Sequence, residues 1–418
     1  MQYTWIYDRP VDVDGIRRFQ RNLADGLLGR RIERSPLPFG RHRWVASPGP
    51  DDLEISVRTC PRADVGTWAD DRMRRPIDPE HGPAWHLGVQ PFTDGGAAVS
   101  LVASHSVVDG QGMTIAITDA VNGIDRQLGY PLPGSRPRRR ALVDDARAAL
   151  RSVPEIGRAV VAGVRVARSE QQDLASSFKT AAEVPPAGDD RPVLAPTVAV
   201  FIDVDQWDER ARRLGGTSNS LFAGLAARLG ERLGRAGADG MLTLSWPVSE
   251  RTDGDTRANA LIAAKMRADP ETVTTDLNPV RSAMKSALAE SGELSARLLA
   301  PLPLTPFTPK ALVRRLEALV VSVDNPVGCS NIGDLDPAMN RPDGTDADFV
   351  SLRLLEPQIT TRVLNRIGGY LSLVSGRVHG RIFISVGAWT VGADNTKQAL
   401  RETVQAALAD FSLSGIVE

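Results

Sequence analysis

The sequence of 418 residues is long enough for two domains, and its 42% hydrophobic and 24% charged residues are typical of globular proteins. Its 50 basic and 51 acidic residues nearly cancel, so no overall field attracts nucleic acid or anionic lipid, and a nucleic-acid partner is not expected. Only two cysteines occur, without a CxxC pair, which argues against a disulfide framework and a cysteine zinc site.

The start of the sequence, MQYTWIYDRPVDVDG, has neither the basic nor the apolar region of a secretory signal. No apolar run approaches the roughly 18 residues that a membrane span requires. We therefore expect a cytoplasmic protein without a transmembrane segment, and a monomer.

Strands and helices are predicted to alternate in the first half. Residues 11–28 carry apolar groups at helical spacing after a short apolar strand, and HRWVAS and LEISVRT are typical of strands. A helix follows around ADVGTWADDRM. Residues 97–103 are apolar on both faces, which favours a strand inside a sheet. The segment GMTIAITDAVNGI and a longer segment interrupted near Pro154 are predicted helices.

The second half is predicted to repeat this order. Residues 181–196, rich in proline and glycine, are interpreted as the link between an N-terminal lobe, 1–185, and a C-terminal lobe, 186–418. The strand TVAVFIDV, the helix WDERARRL and a helix capped by Thr217 or Ser218 come next. The remaining predictions are the strands MLTLSWPV, NALIAAKM, LVVSVDN, DFVSLRLLE, GGYLSLVSGRVHG and RIFISVGAW, helices around 276–290 and 310–318, and the terminal helix NTKQALRETVQAALADF.

The segment SHSVVDGQG, residues 104–112, follows the apolar strand and places His105 four residues before Asp109. These two residues are too few for a metal site, which needs three or four ligands. The sequence contains no GxSxG elbow, no dinucleotide fingerprint and no Walker loop. Histidine can take and return a proton near neutral pH. The residues alone leave two interpretations of His105 open, a catalytic base and a structural histidine. If His105 is the base, Asp109 is expected to hold the loop through an ion pair with a buried arginine.

The surrounding sequence carries a family resemblance. PIDPEHGPAWHLGVQPFTDGGAAVSLVASHSVVDGQG resembles the stretch leading into the HHxxxDG motif of the condensation-domain superfamily. Its members include chloramphenicol acetyltransferase, peptide condensation domains, wax ester synthase/diacylglycerol acyltransferases and polyketide-associated acyltransferases. LTLSWPVSERTDGDTRANALIAAKM is similar to the family's PVSxR segment followed by asparagine, and NPVGCSNIGDL is similar to its SNxG segment.

The resemblance implies a fold of two chloramphenicol acetyltransferase-like α/β sandwich lobes. The lobes form a pseudo-dimer with a channel between them, and the histidine lies midway along it. Ser104 stands where many members have the first histidine. That difference favours the acyltransferase branches, and the resemblance is nearest to the wax ester synthase/diacylglycerol acyltransferase and polyketide-associated branches.

Roles follow from the resemblance residue by residue. His105 takes the position of the catalytic histidine, and Asp109 and Gly110 take the positions of the structural aspartate and glycine. Ala258 replaces a glycine expected beside the family's asparagine. The candidates for channel-lining or oxyanion-stabilising residues are Ser330, Asn331, Arg251 and Asn259.

The resemblance implies an acyltransferase that uses an acyl-CoA or carrier-protein phosphopantetheine thioester as donor substrate. The acceptor is a hydroxyl, or an amine, of a hydrophobic small molecule. No bound cofactor and no metal are expected, and an acyl carrier protein is an expected partner. Two alternatives remain: a stand-alone condensation domain joining carrier-bound substrates, and a catalytically silent carrier- or lipid-binding module.

The segment EIGRAVVAGVRVARS combines apolar and basic positions on one predicted helix. Such a helix either covers a lobe or makes a peripheral membrane contact. The sequence favours the covering helix.

Overall fold

The structure is a computed structural model that describes residues 1–169, 190–300, 302–308 and 325–418. The predicted helix at 310–318 and nearly all of the predicted strand LVVSVDN lie outside these ranges. Part of the predicted link 181–196 does so as well.

Fourteen strands are present in the described part of the chain. They are β1 (Gln2–Tyr7), β2 (Arg30–Glu33), β3 (Arg43–Ala46), β4 (Glu54–Ile55), β5 (Trp85–Pro91), β6 (Ala97–Ala103), β7 (Thr197–Asp203), β8 (Leu242–Ser249), β9 (Leu261–Ala268), β10 (Val327–Asp334), β11 (Phe349–Arg353), β12 (Tyr370–Val378), β13 (Arg381–Trp389) and β14 (Ile416–Val417).

Ten α-helices lie in the same ranges. They are α1 (Val13–Ala24), α2 (Val65–Arg74), α3 (Gly110–Asn122), α4 (Arg138–Arg151), α5 (Val153–Ser169), α6 (Val204–Arg213), α7 (Ser218–Arg232), α8 (Asn278–Leu299), α9 (Thr361–Arg366) and α10 (Lys397–Asp410). None of the helices in the described ranges is both long and apolar enough to span a bilayer.

Two mixed sheets organise the molecule. One has the strand order β11-β1-β6-β5-β4, the other has the order β14-β7-β13-β12-β10-β8-β9, and a small ribbon joins β2 to β3. Helices pack on both sheets, and each sheet has its own apolar core. This is the predicted α/β fold class.

Local signals explain most of these elements. All seven residues of β6 are buried, as its two-sided apolar pattern predicts, because β6 lies between β1 and β5. Asp94 and Gly95 form the tight connection to β5, where Gly95 has a positive φ of 91°. Thr217, one of the two predicted caps, accepts the amide hydrogen of Ser220 at the start of α7.

Three details differ from the sequence predictions. The predicted strand LEISVRT is reduced to Glu54–Ile55, because β4 pairs only briefly with the edge of β5. The strand β10 spans the SNxG segment, which we had not predicted to be a strand. The strand β11, from the second half of the sequence, pairs antiparallel with β1 in the sheet of the first half.

The contact between α1 and the second half of the chain leaves no room for a side chain at Gly15. An ideal Cβ there would lie 2.2 Å from the carbonyl oxygen of Asp343. We expect Gly15→Ala to destabilise the protein by about 1–3 kcal/mol, because backbone must move to relieve this overlap. Urea denaturation measures the change.

Gly157 in α5 is the matched control. No atom lies within 4 Å of a Cβ built there, so Gly157→Ala should stabilise the protein by about 0.5–1 kcal/mol through helix propensity alone. A Gly15→Ala protein as stable as the Gly157→Ala protein contradicts the predicted overlap.

Candidate active site

The histidine of the HxxxDG segment lies in a short loop between β6 and α3. Ser104 starts this loop and is held by its own turn: its Oγ accepts the amide hydrogen of Ser106 at 3.2 Å. Its carbonyl accepts the amide hydrogen of Val107 at 3.2 Å. Ser104, which stands at the position of the first histidine in the HHxxxDG motif, therefore shapes the loop through these two hydrogen bonds.

His105 is exposed, although the residues that follow it are buried. Val107 and Val108 are fully buried in the core of the first sheet, which anchors the loop on one side of the histidine. The carbonyl of His105 accepts a hydrogen bond from Asn259 Nδ2 at 3.1 Å. The loop is thus held both by its own lobe and by the connection between β8 and β9.

The carboxylate of Asp109 is fully buried and accepts three hydrogen bonds. Its Oδ1 accepts the amide hydrogen of Gly112 at 2.7 Å, which caps α3. Its Oδ2 accepts from the backbone of Ala260 at 2.8 Å and from Arg251 Nη2 at 2.7 Å. One carboxylate therefore joins the start of α3 to the β8–β9 connection.

Arg251 supplies the positive charge for this carboxylate, and its side chain is only 2% exposed. Its Nη1 also donates to the carbonyls of Asp255 and Arg257, each at 3.0 Å. Arg251 thereby folds the β8–β9 connection around itself. The family resemblance makes Arg251 and Asn259 candidates for channel-lining or oxyanion-stabilising residues, and the structure places both against the motif loop.

Arg30 is a site residue that the sequence interpretation missed. It is fully buried, and its guanidinium donates to the carbonyl of Val107 at 2.6 Å and to that of Thr256 at 2.5 Å. The guanidinium carbon lies 4.2 Å from the centre of the Trp44 ring. Burial lowers the pKa of Arg30 from its ordinary value. The only signal in the sequence is that Arg30 and Ile32, two residues apart in β2, lie on the same face of that strand.

A small cavity of about 70 Å³ lies beside the motif loop. Both sheets contribute to its wall. Its lining consists of His105, Gly110, Gln111, Pro247, Ser249, Leu261, Ser330, Asn331, Ile332, Leu352, Leu354 and Val374. Four residues named from the sequence, His105, Gly110, Ser330 and Asn331, therefore meet at one cavity.

Asn331 lies at an irregularity in β10, where the pairing with β12 shifts between Asn331 and Asp334. Its Nδ2 donates to Asn219 Oδ1 at 2.5 Å, and its Oδ1 accepts the amide hydrogen of Gly333 at 2.9 Å. Gly333 has a positive φ of 84°, which glycine adopts without strain. The side chain of Asn331 is therefore fixed in orientation at the cavity wall.

All five histidines lie in the described part of the chain, and His105 is the one that lines this cavity. His86 differs most from it in environment: burial, reinforced by Arg72, lowers the pKa of His86 to about 3. Among the residues that the structure describes, no group of three or more His, Cys, Asp or Glu side chains is arranged to hold a metal ion.

We expect Asp109→Asn to destabilise the protein by about 3–5 kcal/mol, because it leaves the buried Arg251 without its counter-charge. The free energy of unfolding in urea measures this loss. Glu209→Gln is the control, because Glu209 pairs with Arg213 on the surface of α6, where such pairs contribute at most about 1 kcal/mol. Equal stabilities for the two variants are incompatible with the role of Asp109 described here.

Neither a protein-family model nor a curated protein matches the sequence. The fold, by contrast, is similar to solved structures over nearly the whole chain. The first condensation domain of the CDA synthetase is 14% identical, with a TM-score of 0.56, over 99% of this chain and 93% of that one.

Two further structures show the same similarity. The wax ester synthase/diacylglycerol acyltransferase from Marinobacter aquaeolei VT8 is 14% identical, with a TM-score of 0.54, over 98% of this chain and 93% of that one. The epimerization domain from the third module of tyrocidine synthetase B is 15% identical, with a TM-score of 0.53, over 99% of this chain and 91% of that one. The chain therefore shares its fold with these condensation, epimerization and acyltransferase structures, and this is the α/β fold that the sequence resemblance predicted.

Proposed function

We propose that this protein is an acyltransferase that moves an acyl group from a pantetheine thioester to a hydroxyl, or an amine, of a hydrophobic small molecule. The observation that carries the proposal is the placement of His105. Its loop is held by buried charges, while the residue itself is exposed at a cavity that both sheets line. The shared fold with a condensation domain and a wax ester synthase/diacylglycerol acyltransferase supports the same class of reaction.

His105 acts as general base in this reaction. Its imidazole takes the proton of the acceptor hydroxyl as the oxygen forms a bond to the thioester carbonyl carbon. The tetrahedral intermediate then expels the thiolate as the carbon–sulfur bond breaks, and the imidazolium returns the proton to that sulfur. Binding both reactants beside one base replaces a bimolecular encounter with an oriented attack.

The cavity wall indicates the class of acceptor and acyl group. Six of its residues are apolar. Five of them belong to five different strands, and the sixth, Leu354, follows β11: Pro247, Leu261, Ile332, Leu352, Val374 and Leu354. The polar groups lie on the motif segment, at Ser249, and at Ser330 and Asn331. A wall of this composition favours a hydrophobic substrate with one reacting polar group.

Asn331 is proposed to stabilise the oxyanion of the tetrahedral intermediate, because its amide lines the cavity in a fixed orientation. Removing one such donor typically lowers kcat by about 10²–10³-fold. We expect Asn331→Ala to lose kcat in this range with little change in KM for the donor, measured by steady-state thiol release. A variant with normal kcat rules out this role for Asn331.

His105→Ala should lower acceptor-dependent thiol release by about 10²–10⁴-fold, because it removes the base. Since His105 is exposed, the variant should keep its Tm and its affinity for the donor. His81→Ala is the matched control, because His81 is also an exposed histidine but pairs with Asp78 away from the cavity.

Assays with an acyl-CoA and with an acyl carrier protein distinguish the donors, and mass spectrometry over a range of acyl chain lengths identifies the acyl group. Turnover only with two carrier-bound substrates indicates the condensation-domain alternative. Turnover in the His105→Ala protein equal to that of the wild type refutes the proposed mechanism. Thiol release from none of the donors, with donor binding retained, indicates a catalytically silent binding module.

A further inference from the structure

A second and larger cavity, of about 730 Å³, lies at the opposite end of the β8–β9 hairpin from His105. We call it the basic cavity, because three of its lining residues are Arg235, Lys265 and Arg267. The rest of its lining consists of Ala236, Gly237, Ala238, Asp239, Met241, Thr243, Met266 and Asn325. The reaction proposed at His105 uses none of these residues.

Arg235 is a buried cation in this cavity without a carboxylate partner. It is only 7% exposed, and its Nη2 donates to neutral oxygens, the side-chain oxygen of Asn325 and, at 3.3 Å, the carbonyl of Pro326. Its Nε is buried and has no hydrogen-bond partner. Burial alone lowers the pKa of Arg235 to about 10. A buried guanidinium that is only partly satisfied is costly unless a ligand completes it.

The other charges of the cavity leave it positive. Arg267 pairs with Asp239, so these two residues neutralise each other. Lys265 is exposed and has no ion pair within the described ranges. Arg235 and Lys265 therefore present two uncompensated positive charges in one cavity, on a chain whose net charge is −1.

One face of the β8–β9 hairpin connects the basic cavity to His105. The cross-strand pairs Thr243–Arg267, Ser245–Lys265, Pro247–Ala263 and Ser249–Leu261 all lie on this face, because side chains alternate along each strand. Pro247, Ser249 and Leu261 line the His105 cavity at one end, and Thr243, Lys265 and Arg267 line the basic cavity at the other. The six residue-to-residue steps from Thr243 to Ser249 span about 20 Å.

We propose that the basic cavity binds the phosphate-bearing end of the pantetheine thioester donor, whose arm follows the face of β8 and β9 to His105. This inference rests on the proposed function and adds a second binding site to it. Lys265 and Arg235 contribute the charge, and guanidinium and ammonium groups are the side chains that bind phosphate most strongly. Free CoA and the prosthetic arm of a carrier protein share this phosphate chemistry.

The test compares donors with and without a phosphate, using the full chain. Lys265→Ala should raise KM about tenfold for acyl-CoA or acyl carrier protein, because it removes one charged hydrogen bond, while kcat stays near that of the wild type. The same variant should leave KM unchanged for acyl-pantetheine, which has no phosphate. Lys285→Ala is the matched control, because Lys285 is exposed on α8 and does not line the basic cavity.

The two phosphate donors distinguish the source of the ligand. A rise in KM for acyl-CoA alone assigns the site to CoA, and a rise for the carrier alone assigns it to the carrier-bound arm. An equal rise in KM for acyl-pantetheine overturns the inference, and so does an unchanged KM for every donor.

A binding measurement separates failure of this inference from failure of the proposed function. Titration calorimetry with CoA itself needs no turnover, and Lys265→Ala and Arg235→Met should each weaken CoA binding about tenfold, with Lys285→Ala binding normally. If the wild type shows no turnover but CoA binding is weakened in these variants, the proposed acyltransferase function is refuted and the proposed phosphate site is supported. If the acyl carrier protein is the donor, titration with that protein replaces CoA, and equal affinities for the wild type and Lys265→Ala overturn the site.

Discussion

The buried carboxylate of Asp109 is the interaction on which the candidate site depends. A buried charge without partners would cost several kcal/mol, so the chain must supply donors to both of its oxygens. One donor comes from the start of α3, and the others are Ala260 and Arg251, more than a hundred residues later. The cost of leaving this charge unpaired therefore forces the motif loop and the β8–β9 connection together. His105 takes its position from that contact without being part of it.

Arg30 strengthens the same contact from the other side. Its guanidinium bridges the carbonyl of Val107 in the motif loop and the carbonyl of Thr256 in the β8–β9 connection, while Trp44 covers its face. Arg251 thus pairs with the carboxylate, whereas Arg30 binds groups that carry no net charge, namely backbone carbonyls, the Tyr130 hydroxyl and an aromatic ring. These charged groups are engaged with one another and with neighbouring carbonyls, whereas the imidazole of His105 beside them is exposed.

The sequence predicted the features that depend on neighbouring residues. Strand β6, helix α3, the Thr217 cap and the connection at Gly95 follow from apolar spacing, capping and turn chemistry. The order of the Gly95 connection, strand β6 and the motif before α3 could be expected from the family resemblance. The roles of Arg30 and Asn219 could not, because each acts through residues distant in sequence. The transfer of β11 into the first sheet is equally non-local, since no local pattern says which sheet a strand will join.

The size of the His105 cavity limits how substrates can bind. At about 70 Å³ it is smaller than the roughly 300–1,000 Å³ of ordinary ligand sites, so an acyl thioester and an acceptor must widen it. The contacts of Asp109 and Arg30 tie the motif loop to the β8–β9 connection, so that side of the cavity is the costly one to open. Another part of the wall consists of apolar side chains, Ile332, Leu352 and Leu354, which change rotamers without breaking a buried ion pair. Acyl-chain selectivity should therefore reside in β10 and β11, and the position of the base should stay constant while that wall adapts.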